Sequence, residues 1–190
     1  MRVVVTGASG FLGRAVMQCV TQAGFECIGV SRTRHAGLHQ VSSYAEAPAG
    51  DVLIHLAQTN DRATANAQGQ ALETEANQTL KSLLAKSYSK VVYASSAVLY
   101  GDHIAAARHV SEPIIATDTY TQIKLNSEYA VLAHGGAVAR LSNLYGLAMA
   151  PGNVLSHILT QLGKGPSIVL HTLEPVRDFC TLPMRHKPCA

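Results

Sequence analysis

The stretch RVVVTGASGFLG, residues 2–13, narrows the choice of folds more than any other. Val3 to Val5 form a β-branched run with no polar alternation. Such a strand is apolar on both faces, as in a parallel sheet covered by helices on each side. It passes through Thr6 into three glycines at a spacing of three, Gly7, Gly10 and Gly13. The helix pattern that follows places Leu12, Val16, Cys19, Val20 and Ala23 on one face. A strand–glycine turn–helix of this kind has a physical use. Gly7 takes backbone angles that other residues avoid, Gly10 lets a diphosphate approach the main chain, and Gly13 lets the helix pack close to the sheet. The helix mouth then offers free N–H groups and a partial positive charge to the phosphates. Ser9, Phe11 and Leu12 complete the expected dinucleotide-binding turn.

The rest of the chain repeats the alternation. Strands are expected at 26–31, 51–57, 90–96, 137–142 and 167–171, with a short one near Leu38–Val41. Helices are expected over 12–24, from about Ala65 to Lys86, over 119–134 and over 153–165. Apolar strands separated by helices predict a doubly wound parallel sheet of Rossmann type. The pattern breaks at 148–152, between a nucleotide-binding domain over 1–147 and a further segment over 148–179. An irregular tail is expected over 180–190.

Composition excludes several classes. Fifteen basic against twelve acidic residues, without a like-charged run, does not call for nucleic acid or a membrane surface. The four cysteines form no CxxC pair and the nine histidines show no metal spacing, so no metal site is expected. Free thiols and a cytoplasmic location are the expectation, with a Cys19–Cys27 bridge left open. No signal peptide precedes the first strand, and no apolar run reaches the roughly 20 residues of a membrane helix.

Seven ordered segments resemble the extended short-chain dehydrogenase/reductase family, the nucleotide-sugar epimerases and dehydratases. They are TGASGFLG; HLA at 55–57; Asn77; SSAVLYG at 95–101; Tyr120-x-x-x-Lys124; RLSNLYG at 140–146; and RDF at 177–179. The resemblance implies that Leu56, Ala57 and Asn77 lie beside the cofactor. It implies that Ser96, Tyr120 and Lys124 are catalytic, with Tyr120 and Lys124 also touching the cofactor. It implies that Ser96, Asn143 and Arg177 meet the substrate, and that 148–179 is only the start of a small C-terminal substrate lobe.

The residues themselves agree with that chemistry. Tyr120 and Lys124, four apart on a helix, share a face. A phenol with an ordinary pKa of about 10 needs a nearby ammonium to act as a base at neutral pH. Ser96, at a strand's carboxyl end, would orient a substrate oxygen. Ala97 and Val98 stand where the dehydratase branch carries acids, which points to epimerisation or simple carbonyl/alcohol oxidoreduction. Ser31, Arg32, Thr33 and Arg34 follow the second strand without an acid, and Arg14 is close in sequence to the turn. A hydroxyl and guanidinium groups suit the 2′-phosphate of NADP, which is expected in preference to NAD.

The pattern is lost after Phe179. CTLPMRHKPCA has two prolines, no periodicity and no acid, as a frameshift or truncation would leave. Two functions remain open: an NAD(P)-dependent nucleotide-sugar epimerase or reductase, or an inactive NAD(P)-binding module. A reductase of a non-sugar carbonyl is a weaker third. A homodimer is implied only by analogy with the family.

Overall fold

The computed structural model describes residues 1–101, 104, 106–147, 149, 154–162, 164–165, 167–170 and 178–182. Six strands form one sheet in the order β3-β2-β1-β4-β5-β6, every pair parallel. These are β1 (Arg2–Thr6), β2 (Glu26–Ser31), β3 (His39–Gln40), β4 (Val52–His55), β5 (Lys90–Ser96) and β6 (Ala137–Leu141). The chain winds outward from β1 to β3, then crosses back to β4 and winds the other way. The reversal therefore falls between β1 and β4, the crevice where open α/β sheets bind ligands.

Alternation along β1 divides the core between two faces. Val3 and Val5 pack with Ala8 under α1 (Phe11–Gln22), against Val16, Met17 and Val20. Val4 faces the other way, with Leu53, Val91 and Tyr93, under α3 (Gln70–Leu84) and α4 (Thr119–Ala133). No helix among the described residues is long and apolar enough to cross a membrane.

Three differences from the sequence pattern have local causes. The single helix expected over 65–86 is two, α2 (Arg62–Gln68) and α3, because Gly69 sits at φ 56° and ψ −135° and breaks the helix there. Asp61 caps α2, its side chain accepting from Ala63 N. The strand expected at 167–171 is not formed over the described residues 167–170. The Gln161 side chain, at the end of α5 (Val154–Gln161), bonds both the N–H and the carbonyl of Val169 and occupies the groups a neighbouring strand would use. Finally, pairing continues across the 179/180 boundary. β7 (Asn143–Tyr145) and β8 (Phe179–Thr181) form a separate parallel pair, so Cys180 and Thr181 lie in a strand rather than in an irregular tail. Cys19, Cys27 and Cys180 are free thiols, and Cys27 donates to the Met17 sulfur at 3.2 Å instead of bridging to Cys19.

Candidate active site

The glycine turn lies at the carboxyl end of β1. Gly7 has φ 73°, and a Cβ there would lie 3.1 Å from the backbone of Leu56 and Ala57. Leu56 and Ala57 thus form the wall against which the turn closes, and the Leu56 N–H is fixed by the Thr6 carbonyl. A Cβ on Gly13 would lie 2.1 Å from the Gly7 carbonyl oxygen, which is why α1 can begin so close to the turn. Gly10 is the N-cap of α1 and brings no side chain to its first N–H groups. A Cβ at Gly10 would meet only the Gly7 carbonyl, at 3.2 Å. The cradle is therefore backbone, narrow and unblocked, and it fits a diphosphate. Phe11 and Leu12 open the helix. Arg14 donates to the Ser9 carbonyl at 2.8 Å and ties the turn to the helix.

Ser9 also links the turn to the end of β2, its hydroxyl 3.0 Å from that of Ser31. Ser31 is buried and shares its oxygen with the Thr33 hydroxyl and N–H, each at 3.2 Å. Arg32 is drawn aside, stacked 5.3 Å above the Tyr44 ring and 3.9 Å from Glu75 on α3. Arg34 is exposed on the same turn.

One strand position over, β4 and β5 deliver the polar residues. His55 is buried, with Nδ1 2.7 Å from the Thr6 hydroxyl. Burial, and then the charge of Lys124, pull its pKa down to about 3, so it is neutral at physiological pH. It is a satisfied strand-end histidine. Ser96 ends β5 and caps the following 3-10 turn, Ala97–Tyr100, by accepting from Val98 N at 3.3 Å.

The first turn of α4 then brings Tyr120 to Ser96. Burial raises the Tyr120 pKa, and a hydrogen bond with the Ser96 side chain works against that rise. Lys124, one turn on, is 5% exposed. Its Nζ lies 5.7 Å from the Tyr120 ring centre and 5.4 Å from that of Tyr93, and donates to the Ala94 carbonyl at 3.5 Å. Burial lowers the Lys124 pKa to about 8, against the opposing pull of Glu128. Lys124 is not among the influences on Tyr120; burial prevails over the lowering pulls of Ser96 and Arg62, and the phenol is protonated at neutral pH. Ser95, buried on the same strand, has no described hydrogen-bond partner for its hydroxyl, whereas that of Ser96 accepts from Val98 N.

Sequence reading overlooked the groups that aim α4. Asp118 forms a reciprocal capping box with Thr121. It also pairs with Arg62 and accepts from Asn66, whose carbonyl oxygen takes the Tyr120 N–H at 3.1 Å. Burial alone would raise the Asp118 pKa; the bonds from Thr121, Arg62 and Asn66 prevail and hold the carboxyl well below its ordinary range. The D-T-Y-T spacing was the legible signal for this cap. Two further residues are placed differently from expectation. Asn77 is exposed and lines a groove of about 480 Å³ with Leu80, Leu84, Asn126, Tyr129 and Ala130. Residues 126 and 129 lie on the side of α4 away from Tyr120 and Lys124, so the groove that Asn77 lines is not the one that pair faces. Asn143 spends its amide on the Asp178 carbonyl, at 3.1 Å, and so fastens β7 to the chain entering β8. Arg177 lies outside the described residues.

Comparison with known proteins gives a consistent picture. The family model described as "NAD dependent epimerase/dehydratase family" matches residues 3–182. A mouse relative, epimerase family protein SDR39U1, is 29% identical over 93% of this chain. The chain spans 60% of that relative's length. UDP-N-acetylglucosamine 4-epimerase from Bacillus cereus superimposes with a TM-score of 0.80 at 22% identity, covering 96% of this chain and 68% of its own. UDP-glucose 4-epimerase from Thermotoga maritima gives 0.80 at 18%, covering 96% and 70%. An NDP-hexosamine 5,6-dehydratase of tunicamycin biosynthesis gives 0.81 at 20%, covering 96% and 68%. At such identities the likeness to these structures is one of fold.

Proposed function

The chain belongs to the NAD dependent epimerase/dehydratase family, and from that premise we propose that it is an NAD(P)-dependent nucleotide-sugar epimerase or reductase working through Ser96, Tyr120 and Lys124. The observation that carries this reading is the buried Lys124, its Nζ 5.7 Å from the Tyr120 ring centre and bonded to the Ala94 carbonyl near the carboxyl end of β5, in the same fold as an unblocked glycine cradle.

The backbone of Gly7, Ser9, Gly10, Phe11, Leu12 and Gly13 would hold the diphosphate, with Leu56 and Ala57 as the facing wall. A bound nicotinamide supplies hydride acceptance and donation. Tyr120, protonated at rest, donates its proton to a substrate carbonyl oxygen, or takes one from a hydroxyl once it is ionised. Ser96 orients that oxygen and shares the Tyr120 proton. Lys124 stabilises the phenolate across a dry gap, where a unit charge acts more strongly than in water. A sugar nucleotide fits the family's relatives, two of which are UDP-sugar epimerases by name.

NADP in preference to NAD is supported by the exposed Arg34 just past β2, where no acid stands at the strand end to bind a 2′-hydroxyl. A homodimer through the outer face of α3 and α4 is supported by the groove where Tyr129 is 61% exposed. A cytoplasmic location is in keeping with the free thiols of Cys19, Cys27 and Cys180 among the described residues. The second reading, a nucleotide-binding module without turnover, draws support from Asn143, whose amide is occupied by Asp178.

Fluorescence titration of the protein with NADPH and NADH tests the cofactor reading. Tighter NADPH binding is expected, and binding of neither would overturn it. Tyr120→Phe is expected to keep that binding and to abolish substrate-dependent change in the bound nicotinamide. Wild-type protein that binds NADPH and turns over no UDP-sugar supports the module instead.

A further inference from the structure

Behind Lys124 the fold buries a carboxylate that the proposed reaction does not use. Glu128 lies one turn beyond Lys124 on the same face of α4 and is 2% exposed. Both of its oxygens are taken by Arg140 on β6: Nε reaches them at 2.9 and 3.1 Å, and Nη2 reaches Oε2 at 2.6 Å. Arg140 is itself immobilised, stacked 4.9 Å from the Tyr100 ring centre with Nη1 3.4 Å from the Val110 carbonyl. The carboxylate therefore has a fixed address. It makes no direct ion pair with Lys124 within 4.0 Å; its described partner is Arg140.

Lys124 is poorly served by comparison. Among the described residues its ammonium has one long hydrogen bond, to the Ala94 carbonyl, and two ring faces. A buried ammonium with so few ligands is driven toward its neutral form unless a fixed negative charge opposes that drift.

We propose that Glu128, clamped by Arg140, is a positioning residue that supplies the counter-charge for the buried ammonium of Lys124. The proposal rests on the reading of Lys124 as a working residue of the site.

Two carboxylates belong to α4 and its cap, Asp118 and Glu128, each paired with a guanidinium, and Glu128 is the one a single turn from Lys124 on the same face. From β4, His55 faces Lys124 and is neutral. From β5, Tyr93 is buried and held protonated, its hydroxyl donating to Gln58. On α4, Tyr120 is protonated at rest, and Asp118 at the helix start is bound to Arg62 and Asn66. From β6, Arg140 is positive and faces Glu128. The opposing pull of Glu128 on Lys124 agrees in sign with the proposal. A plain helix-to-sheet ion pair would give the same contacts, yet it predicts no effect on how Lys124 titrates.

The test follows Lys124 directly, through the 13Cε resonances of the lysine-labelled full chain between pH 5 and 11. In Glu128→Gln the Lys124 midpoint is expected to fall by about one pH unit, a roughly tenfold loss of the charged fraction above the midpoint. Glu128→Asp, which keeps the charge, is expected to restore most of that loss even where it is no more stable than the glutamine variant. An identical Lys124 midpoint in wild type and Glu128→Gln overturns the proposal. Should neither variant fold, the wild type decides: the Glu128 13Cδ resonance is expected to shift with an inflection at the Lys124 midpoint, and a flat trace there overturns it. Failure to bind NADPH would sink the proposed function and leave this titration untouched.

Discussion

The six-stranded sheet and the segment beyond it are written in the same apolar alphabet, and they end in opposite conditions. Val4, Val5, Val30 and Leu53 in the sheet are fully buried. Leu147, Leu159, Leu162 and Val169 are each more than half exposed. The difference does not lie in hydrophobicity. The inner strands β2, β1, β4 and β5 have a neighbour on both edges, whereas α5 keeps a single buried residue, Ser156, among those described. An apolar run specifies burial only where the topology supplies a surface to bury against.

The largest effect should come from the buried side of this comparison. Leu53→Ala removes a fully buried side chain between β1 and β5 and is expected to cost about 3 kcal/mol, read by urea denaturation. A loss under about 1 kcal/mol would mean that the sheet core is loosely packed. Lys124 sharpens the contrast, because it is a charge inside the well-packed half. Its pKa falls from 10.5 to about 8 on folding, so the unfolded chain holds more protons between those values. The penalty is fully present below pH 8 and fades as pH rises toward 10.5. Lys124→Met is therefore expected to stabilise the fold by up to about 3 kcal/mol at pH 6–7, with the gain vanishing near pH 10.5. A gain that is flat with pH would contradict the buried ammonium. Asp118→Ala removes the capping box of α4 and should cost about 1 kcal/mol at pH 7, while lowering turnover more than NADPH binding. At the exposed end, Leu162→Ala should stay within about 0.5 kcal/mol of wild type. A larger loss would show that α5 has a covering surface in solution.

The sequence made the glycine turn, the parallel sheet and the shared helix face of Tyr120 and Lys124 legible, because each is a local pattern whose period or spacing is its geometry. What stayed hidden depends on where a helix points or what a side chain reaches. Asn77 falls on the outer face of α3, a matter of helical phase that a resemblance in one segment does not fix. Glu128 reads as one more charged helix residue until β6 supplies Arg140. Asn66 and Arg62 acquire their roles only because Gly69 turns α2 back against the start of α4. Ser167 to Leu170 looks like a strand on its own, yet a strand needs a partner, and Gln161 holds Val169 first.

Gly146 sits where a Cβ would meet the Phe11 ring at 3.3 Å and the Leu182 carbonyl at 3.6 Å. The mouth of the first helix is thus finished by residues made almost last among those described. During synthesis, β1, the glycine turn and α1 emerge early, and the small β7–β8 pair reaches Phe11 only after nearly all the intervening chain has left the ribosome. A nascent chain therefore carries its nucleotide cradle open for most of its birth, and the closing of that corner is a late, long-range event in folding.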